Sequence, residues 1–233
     1  MKTEMAITAK HVTKRYGNHW ALNDFSIELP ANRVIGVLGA NGAGKSTFFR
    51  MITGMTQPDH GQVEVFGTQP GWETNRLISY LPDRARWYNY HNVQHALNWA
   101  ESLLPGFDRN RAEGMLEFMK LRSDMDVHGM SRGQEARLML TLCLCRDVPL
   151  LILDEPFSGI DLISRERIIG ALIDNMSDSQ QTVLISTHEI QEAESLFDYA
   201  LFMNDGQALL HDDVETLRAE RGSMESIYRN LYQ

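Results

Sequence analysis

Residues 34–38, Val-Ile-Gly-Val-Leu, run directly into Gly39-Ala40-Asn41-Gly42-Ala43-Gly44-Lys45-Ser46-Thr47 and then into a helical stretch, Phe48–Gly54. No other feature limits the fold as tightly. The spacing G-x-x-x-x-G-K-[ST] calls for a strand covered on both faces, a loop of inward-turned amides, and a helix beginning where the loop ends. The glycines let backbone N–H groups face an anion without side-chain obstruction, and the helix end adds its positive field. Lys45 is then placed to neutralise the outer phosphates of a nucleotide, and the Ser46 hydroxyl to ligate Mg²⁺.

The rest of the chain repeats the strand-then-helix theme. Strands are expected at Ile7–Val12, Phe25–Leu29, Leu77–Leu81, Leu150–Leu153 and Thr182–Ser186, with a further pair around Leu201 and Ala208. Gln62–Phe66 alternates polar and apolar residues and reads as an edge strand. Between Arg84 and Gly129 strand-like runs vanish, and Val93, Leu97, Ala100, Leu103 and Leu104 recur at helical spacing, as do Met115, Leu116, Phe118 and Met119. A third helix is expected over Arg132–Arg146, then others over Ser164–Asn175 and Glu189–Phe197. This order predicts one α/β domain with a mostly parallel sheet. Residues 1–83 and 147–233 form its core, and 84–146 a helical insertion.

Three further groups are placed for chemistry. Leu150-Leu-Ile-Leu-Asp154-Glu155 ends an apolar strand in two carboxylates, at the sheet edge where Mg²⁺ sits in phosphate-loop proteins. Glu155 can reach a water that attacks the terminal phosphate. His188 follows the strand Thr182–Ser186 and can hydrogen-bond that phosphate. Ser131-Arg132-Gly133-Gln134 opens a helix: Ser131 is a good N-cap, and an exposed helix start is also an anion site. A chain that already owns one phosphate loop has no internal need of a second, so this one is expected to serve the nucleotide of another copy.

Taken together, GANGAGKST, SRGQ, LLILDEP, SGID and STHE, in this order, resemble the ATP-binding subunit of an ABC transporter, from Tyr16 to about Gly206. The resemblance implies a RecA-like P-loop core, an N-terminal antiparallel β subdomain and an inserted α-helical subdomain. It implies that Tyr16 stacks on adenine and that Gly39–Thr47 is the Walker A loop. Asp154 is then the Walker B aspartate, Glu155 the catalytic carboxylate, and His188 the switch histidine. Ser158, Gly159 and Asp161 form the loop that meets the partner, and Ser131–Gln134 the signature motif. Two departures stand out. Arg132 replaces the signature's first glycine, and Asp83 stands where the family usually has a glutamine that contacts Mg²⁺ and the transmembrane partner.

The implied function is an ATPase, with ATP and Mg²⁺ as ligands. It works as a dimer with itself or a homologous ATP-binding subunit, and couples to a separate transmembrane permease, with export as the direction. It would sit in the cytoplasm, peripheral on the inner face of the cell membrane. A cytosolic ABC-type ATPase without a membrane partner, as in iron–sulfur assembly, is the alternative.

Composition agrees. The net charge of −9 argues against a nucleic-acid partner. No run approaches the ~18 apolar residues of a membrane span, and MKTEMAITAK lacks the apolar segment of a secretory leader. Cys143 and Cys145 are expected as buried free thiols. His91 and His95 have helical spacing but no third ligand nearby for zinc. Trp87, Tyr88, Tyr90 and Trp99 are either docking anchors or lobe core. His211–Glu215 is expected to start a solvated helix.

Overall fold

The computed structural model describes residues 4–83, 91–177, 180–188 and 190–232. Strands β1 (Met5–Tyr16) and β2 (His19–Pro30) form a long hairpin closed at Gly17, whose φ of +58° suits a residue without Cβ. Strand β4 (His60–Val65) pairs with β1 on its other side, completing a three-stranded antiparallel sheet in the order β2-β1-β4. Gln62–Phe66 is thus an edge strand, as its alternation predicts, and Phe25, Ile27 and Leu29 of β2 alternate inward.

Six strands make the second sheet, in the order β5-β6-β7-β3-β8-β9. They are β3 (Val34–Leu38), β5 (Ile78–Leu81), β6 (Leu150–Asp154), β7 (Thr182–Thr187), β8 (Tyr199–Asn204) and β9 (Gln207–Asp213). All pairings are parallel except β8 with β9. Every residue of β3, β6 and β7 is buried, the reason these segments read as unbroken apolar runs. Their side chains divide by period two. Leu150, Ile152 and Leu184 face the N-terminal sheet and helix α1 (Lys45–Ile52), while Leu151, Leu153 and Ile185 face the other helices.

After the short helix α2 (Trp72–Asn75), three helices separate β5 from β6: α3 (Val93–Leu103), α4 (Arg109–Phe118) and α5 (Arg132–Leu144). Their starts are chemically marked. The His95 amide donates to Asn92 Oδ1 at 2.9 Å and the Arg111 amide to Asp108 Oδ1 at 3.0 Å, each satisfying a donor the helix cannot. Helix α6 (Leu162–Ser177) packs on α5. Cys143 and Cys145 are buried free thiols, and burial raises both to about 12.

Several boundaries differ from the sequence pattern. Helix α1 begins at Lys45, because the Gly44 carbonyl of the loop accepts the Phe48 amide at 2.9 Å and opens its first turn. The stretch expected as Glu189–Phe197 is the short helix α7 (Ile190–Ala193) followed by a 3₁₀ turn, Glu194–Leu196. His211–Asp213 is strand, not helix: Leu210 and His211 pair with Phe202 and Leu201 of β8, and helix α8 (Val214–Arg221) starts only after Asp213. Gly222, at φ +90°, then turns the chain into α9 (Met224–Tyr232), which sequence patterning did not reveal. His91 and His95 stack with ring centroids 5.7 Å apart, and His95 Nδ1 accepts the Asn92 amide. Among the described residues no cluster of three or more His, Cys, Asp or Glu side chains is placed to hold a metal. Trp87, Tyr88 and Tyr90 lie outside the described residues, while Trp99 is 49% exposed beside His91. No described helix is long and apolar enough to cross a membrane.

Candidate nucleotide-binding site

Strand order builds the site. Because β6, β7 and β3 are neighbours in parallel register, with Leu38 beside Thr187 and Asp154 beside Ser186, their carboxyl ends deliver three segments to one place. These are the loop after Leu38, the pair Asp154–Glu155, and Thr187–His188. Ligands of open α/β sheets bind at this edge.

The loop's shape is fixed by glycine. Gly42 and Gly44 have φ of +89° and +105°, and a Cβ on Gly44 would lie 2.4 Å from the Ala21 carbonyl oxygen. A Cβ on Gly39 would lie 2.4 Å from the Met203 oxygen. Lys45, 5% exposed, folds back into the loop, where its Nζ donates to the Gly39 oxygen at 2.6 Å and the Ala40 oxygen at 3.2 Å. The same Nζ lies 3.1 Å from Glu155 Oε1. Glu155 Oε2 in turn is 2.8 Å from His188 Nδ1. Glu155 itself has φ +51°, a backbone strained for a side chain of this kind, which turns its carboxylate back over the loop.

Ser46 Oγ donates to Asp154 Oδ1 at 3.1 Å, and Ser186 Oγ donates to the same oxygen at 2.7 Å. Ser186 also accepts the Glu155 amide at 2.9 Å. It is fully buried and ties both carboxylate residues together, a role its place at the end of an apolar strand does not advertise. Burial pushes the Asp154 carboxyl above the usual range. The two serine hydrogen bonds pull it down, and the charges of Glu155 and Asp83 push it up again.

A cavity of about 560 Å³ joins these groups. Asn41 to Thr47 form its floor, Glu155 and His188 one wall, and Asp83 borders it at the end of β5. At the opposite rim stand Tyr16 and His19, which flank the β1–β2 turn; Tyr16 is 46% exposed, so one ring face is available for stacking. Tyr16, Lys45, Ser46, Asp83, Asp154, Glu155 and His188 are therefore brought together. The hard oxygens of Ser46 and Asp154, with Asp83 nearby, are the donor chemistry that suits Mg²⁺.

Ser131, Arg132, Gly133 and Gln134 are not among the cavity's described lining residues. They form the start of α5 as a capping box. The Gln134 amide donates to Ser131 Oγ at 3.3 Å and the Ser131 amide to Gln134 Oε1 at 2.9 Å. Gly133 is buried beneath the next loop: a Cβ there would lie 2.5 Å from Ser164 Oγ and 2.6 Å from Asp161 Oδ2. Asp161 caps α6 by accepting from the Ser164 amide and hydroxyl, and these bonds hold its carboxyl below the usual range. Arg132 lies against Gly159. Arg137, one turn along α5, is buried and donates to the Gly133 and Met119 carbonyls, bracing the helix start.

The chain resembles known proteins over most of its length. The family model described as ABC transporter matches residues 22–158. An uncharacterized ABC transporter ATP-binding protein of Rhizobium meliloti is 32% identical over 219 residues, covering 88% of this chain and 79% of that one. The lipopolysaccharide export system ATP-binding protein LptB of Haemophilus influenzae is 28% identical over 214 residues, covering 87% and 88%. A solved structure, the ATP binding subunit of an ABC transporter, superposes with a TM-score of 0.85 at 23% identity, covering 98% of this chain and all of that one. The chain belongs to the ABC transporter family, as one of its ATP-binding proteins.

Proposed function

We propose that two copies of this chain, or this chain and a homologous subunit, hydrolyse ATP at their shared interface and pass the resulting motion to a separate membrane permease. One observation carries the reading. Lys45, Ser46, Glu155 and His188 line one cavity, with Asp154 hydrogen-bonded to Ser46 just behind its wall, while the amide-rich start of α5 lies outside it. A head-to-tail pairing supplies each cavity with the other copy's Ser131–Gln134. Residues 1–83 and 147–233 serve as the core, and 84–146 as the lobe carrying that helix start.

Within one copy, Tyr16 stacks on the adenine, and the amides of Gly39–Thr47 hold the phosphates. Lys45 exchanges Glu155 and its loop carbonyls for phosphate oxygens. Glu155, released from Lys45 and oriented by His188, takes the proton of the attacking water, and the bond between the γ-phosphorus and its bridging oxygen breaks to give ADP and phosphate. Ser46, Asp154 and Asp83 would hold Mg²⁺, which neutralises charge on the phosphates. ATP favours the closed dimer because only there do both halves of the site touch it, and its hydrolysis reopens the pair. Among the relatives, LptB is named for lipopolysaccharide export; export is the direction we favour, and the cytoplasmic face of the membrane the place.

The test is Glu155→Gln. It leaves ATP binding intact, lowers turnover at least 100-fold, and elutes as a dimer with ATP on size exclusion. A variant that stays monomeric with ATP, or turns over normally, refutes the dimer mechanism. Co-purification of a membrane protein from the native host tests the permease.

A further inference from the structure

Helix α9 ends at the root of the phosphate loop. Its Tyr232 hydroxyl lies 2.6 Å from the Met203 oxygen and 3.2 Å from the Leu38 oxygen, at the ends of β8 and β3. Leu38 is the residue before Gly39, and a Cβ built on Gly39 would meet both the Met203 oxygen and, at 3.2 Å, the Tyr232 hydroxyl. The phenol therefore closes the floor beneath the first residue of the loop, whose carbonyl Lys45 grips. Tyr228, one turn earlier, stacks on Tyr232 with centroids 4.2 Å apart. Burial and then the Glu155 charge raise its phenol. The helix is anchored by Met224 and Ile227 in the core. Its companion α8 is tied to the turn beyond His188 by Arg218 and Glu194, 2.5 Å apart.

We propose that Tyr232 is a positioning residue for nucleotide binding: its hydroxyl bridges the ends of β3 and β8 and sets the phosphate loop in its binding shape. This rests on the reading of that loop as the nucleotide site. A loop held at its root keeps its amides aimed before the ligand arrives, so the ordering cost of binding falls. Loss of the hydroxyl then appears in nucleotide affinity and not in the chemical step.

The experiment compares the full wild-type chain with Tyr232→Phe and Ile227→Val. Magnesium ADP is titrated by calorimetry, ATP turnover is followed at steady state, and thermal unfolding is recorded without nucleotide. Phenylalanine keeps the ring stack and removes one hydrogen bond, a factor of about five in equilibrium terms. The expected result is an ADP Kd and an ATP KM each raised about fivefold, with kcat within twofold of wild type. Ile227→Val loosens the same helix by removing a buried methyl group; it lowers the unfolding temperature and leaves ADP affinity unchanged. Wild-type ADP affinity in Tyr232→Phe, or an equal loss in Ile227→Val, overturns the proposal. A wild-type chain that binds no ADP fails at the nucleotide site itself, and the proposal falls with it.

Discussion

Replacing Ser186 with alanine removes one oxygen that serves both carboxylate residues. Ser186 is fully buried, its hydroxyl donating to Asp154 Oδ1 at 2.7 Å and accepting the Glu155 amide at 2.9 Å. The first bond is charge-assisted and is worth about 2 kcal/mol; the second leaves a buried amide unpaired at about 1–2 kcal/mol. The expected loss is about 3–4 kcal/mol, which for a domain of this size lowers the unfolding temperature by roughly 10 °C. Ser79→Ala is the control. Ser79 is equally buried and donates to the Cys143 carbonyl at 2.8 Å, but that bond is neutral and worth about 1 kcal/mol.

The pH dependence sharpens the test. The Ser186 hydrogen bond favours ionised Asp154, so its loss raises the folded-state carboxyl further above the unfolded value. A group raised in this way stabilises the fold below its unfolded pKa, and that contribution fades as pH climbs through the folded value. The penalty of Ser186→Ala therefore grows with pH and shrinks on acidification, while that of Ser79→Ala stays flat. Denaturant melts of both variants across the acid range decide it. A Ser186→Ala loss no larger than that of Ser79→Ala, or one independent of pH, refutes the assignment of Ser186 as the clamp on Asp154.

Asp154→Asn removes a buried charge, so without nucleotide it melts above wild type, by a margin that widens with pH, while magnesium-dependent ATPase falls at least 100-fold; a variant that melts lower contradicts the burial argument. Gly133→Ala drives a methyl group into Asp161 and Ser164, and turnover should fall more than tenfold with ADP affinity of the monomer unchanged by calorimetry. Gly44→Ala combines φ +105° with a contact of 2.4 Å to the Ala21 oxygen, and should abolish ADP binding in the same titration. Glu155→Gln, by uncoupling a carboxylate from Lys45, should bind ADP several-fold more tightly than wild type; weaker binding would mean that the 3.1 Å pair does not compete with phosphate.

What the sequence discloses here is what lies along it. The loop Gly39–Thr47 is contiguous, its glycines are dictated by its own backbone, and its flanking strand is apolar because both faces are covered. Asp154, Glu155 and His188 are legible because each directly follows such a strand. Ser186 and Tyr232 are not. The first acquires its role from the register of β6 against β7, and the second from a helix that folds back to a residue 194 positions earlier. The positive φ of Glu155 is equally silent in sequence, since nothing in Asp-Glu-Pro requires it. His211–Asp213 misleads for a related reason: an acidic run suits a helix start, but pairing with the buried strand β8 outweighs local preference.

Charge explains why Asp83 is compatible with the proposed chemistry although the family pattern has an amide there. The cavity is lined by the carboxylates of Asp83 and Glu155, with Asp154 behind Ser46, against Lys45 and the exposed Arg50. Lys45 is already shared between Glu155 and two loop carbonyls. A bare polyphosphate entering such a site meets more negative than positive charge at short range, in surroundings where each pair counts for more than in water. On the proposed reading the nucleotide therefore enters with its divalent cation, and that cation favours the charged form of the buried Asp154, whose carboxyl burial raises above the usual range. A glutamine at position 83 would contact the cation without adding to this imbalance. An aspartate binds it more strongly and repels the uncomplexed nucleotide more strongly, so Asp83 makes the site more dependent on the metal rather than less able to hold it.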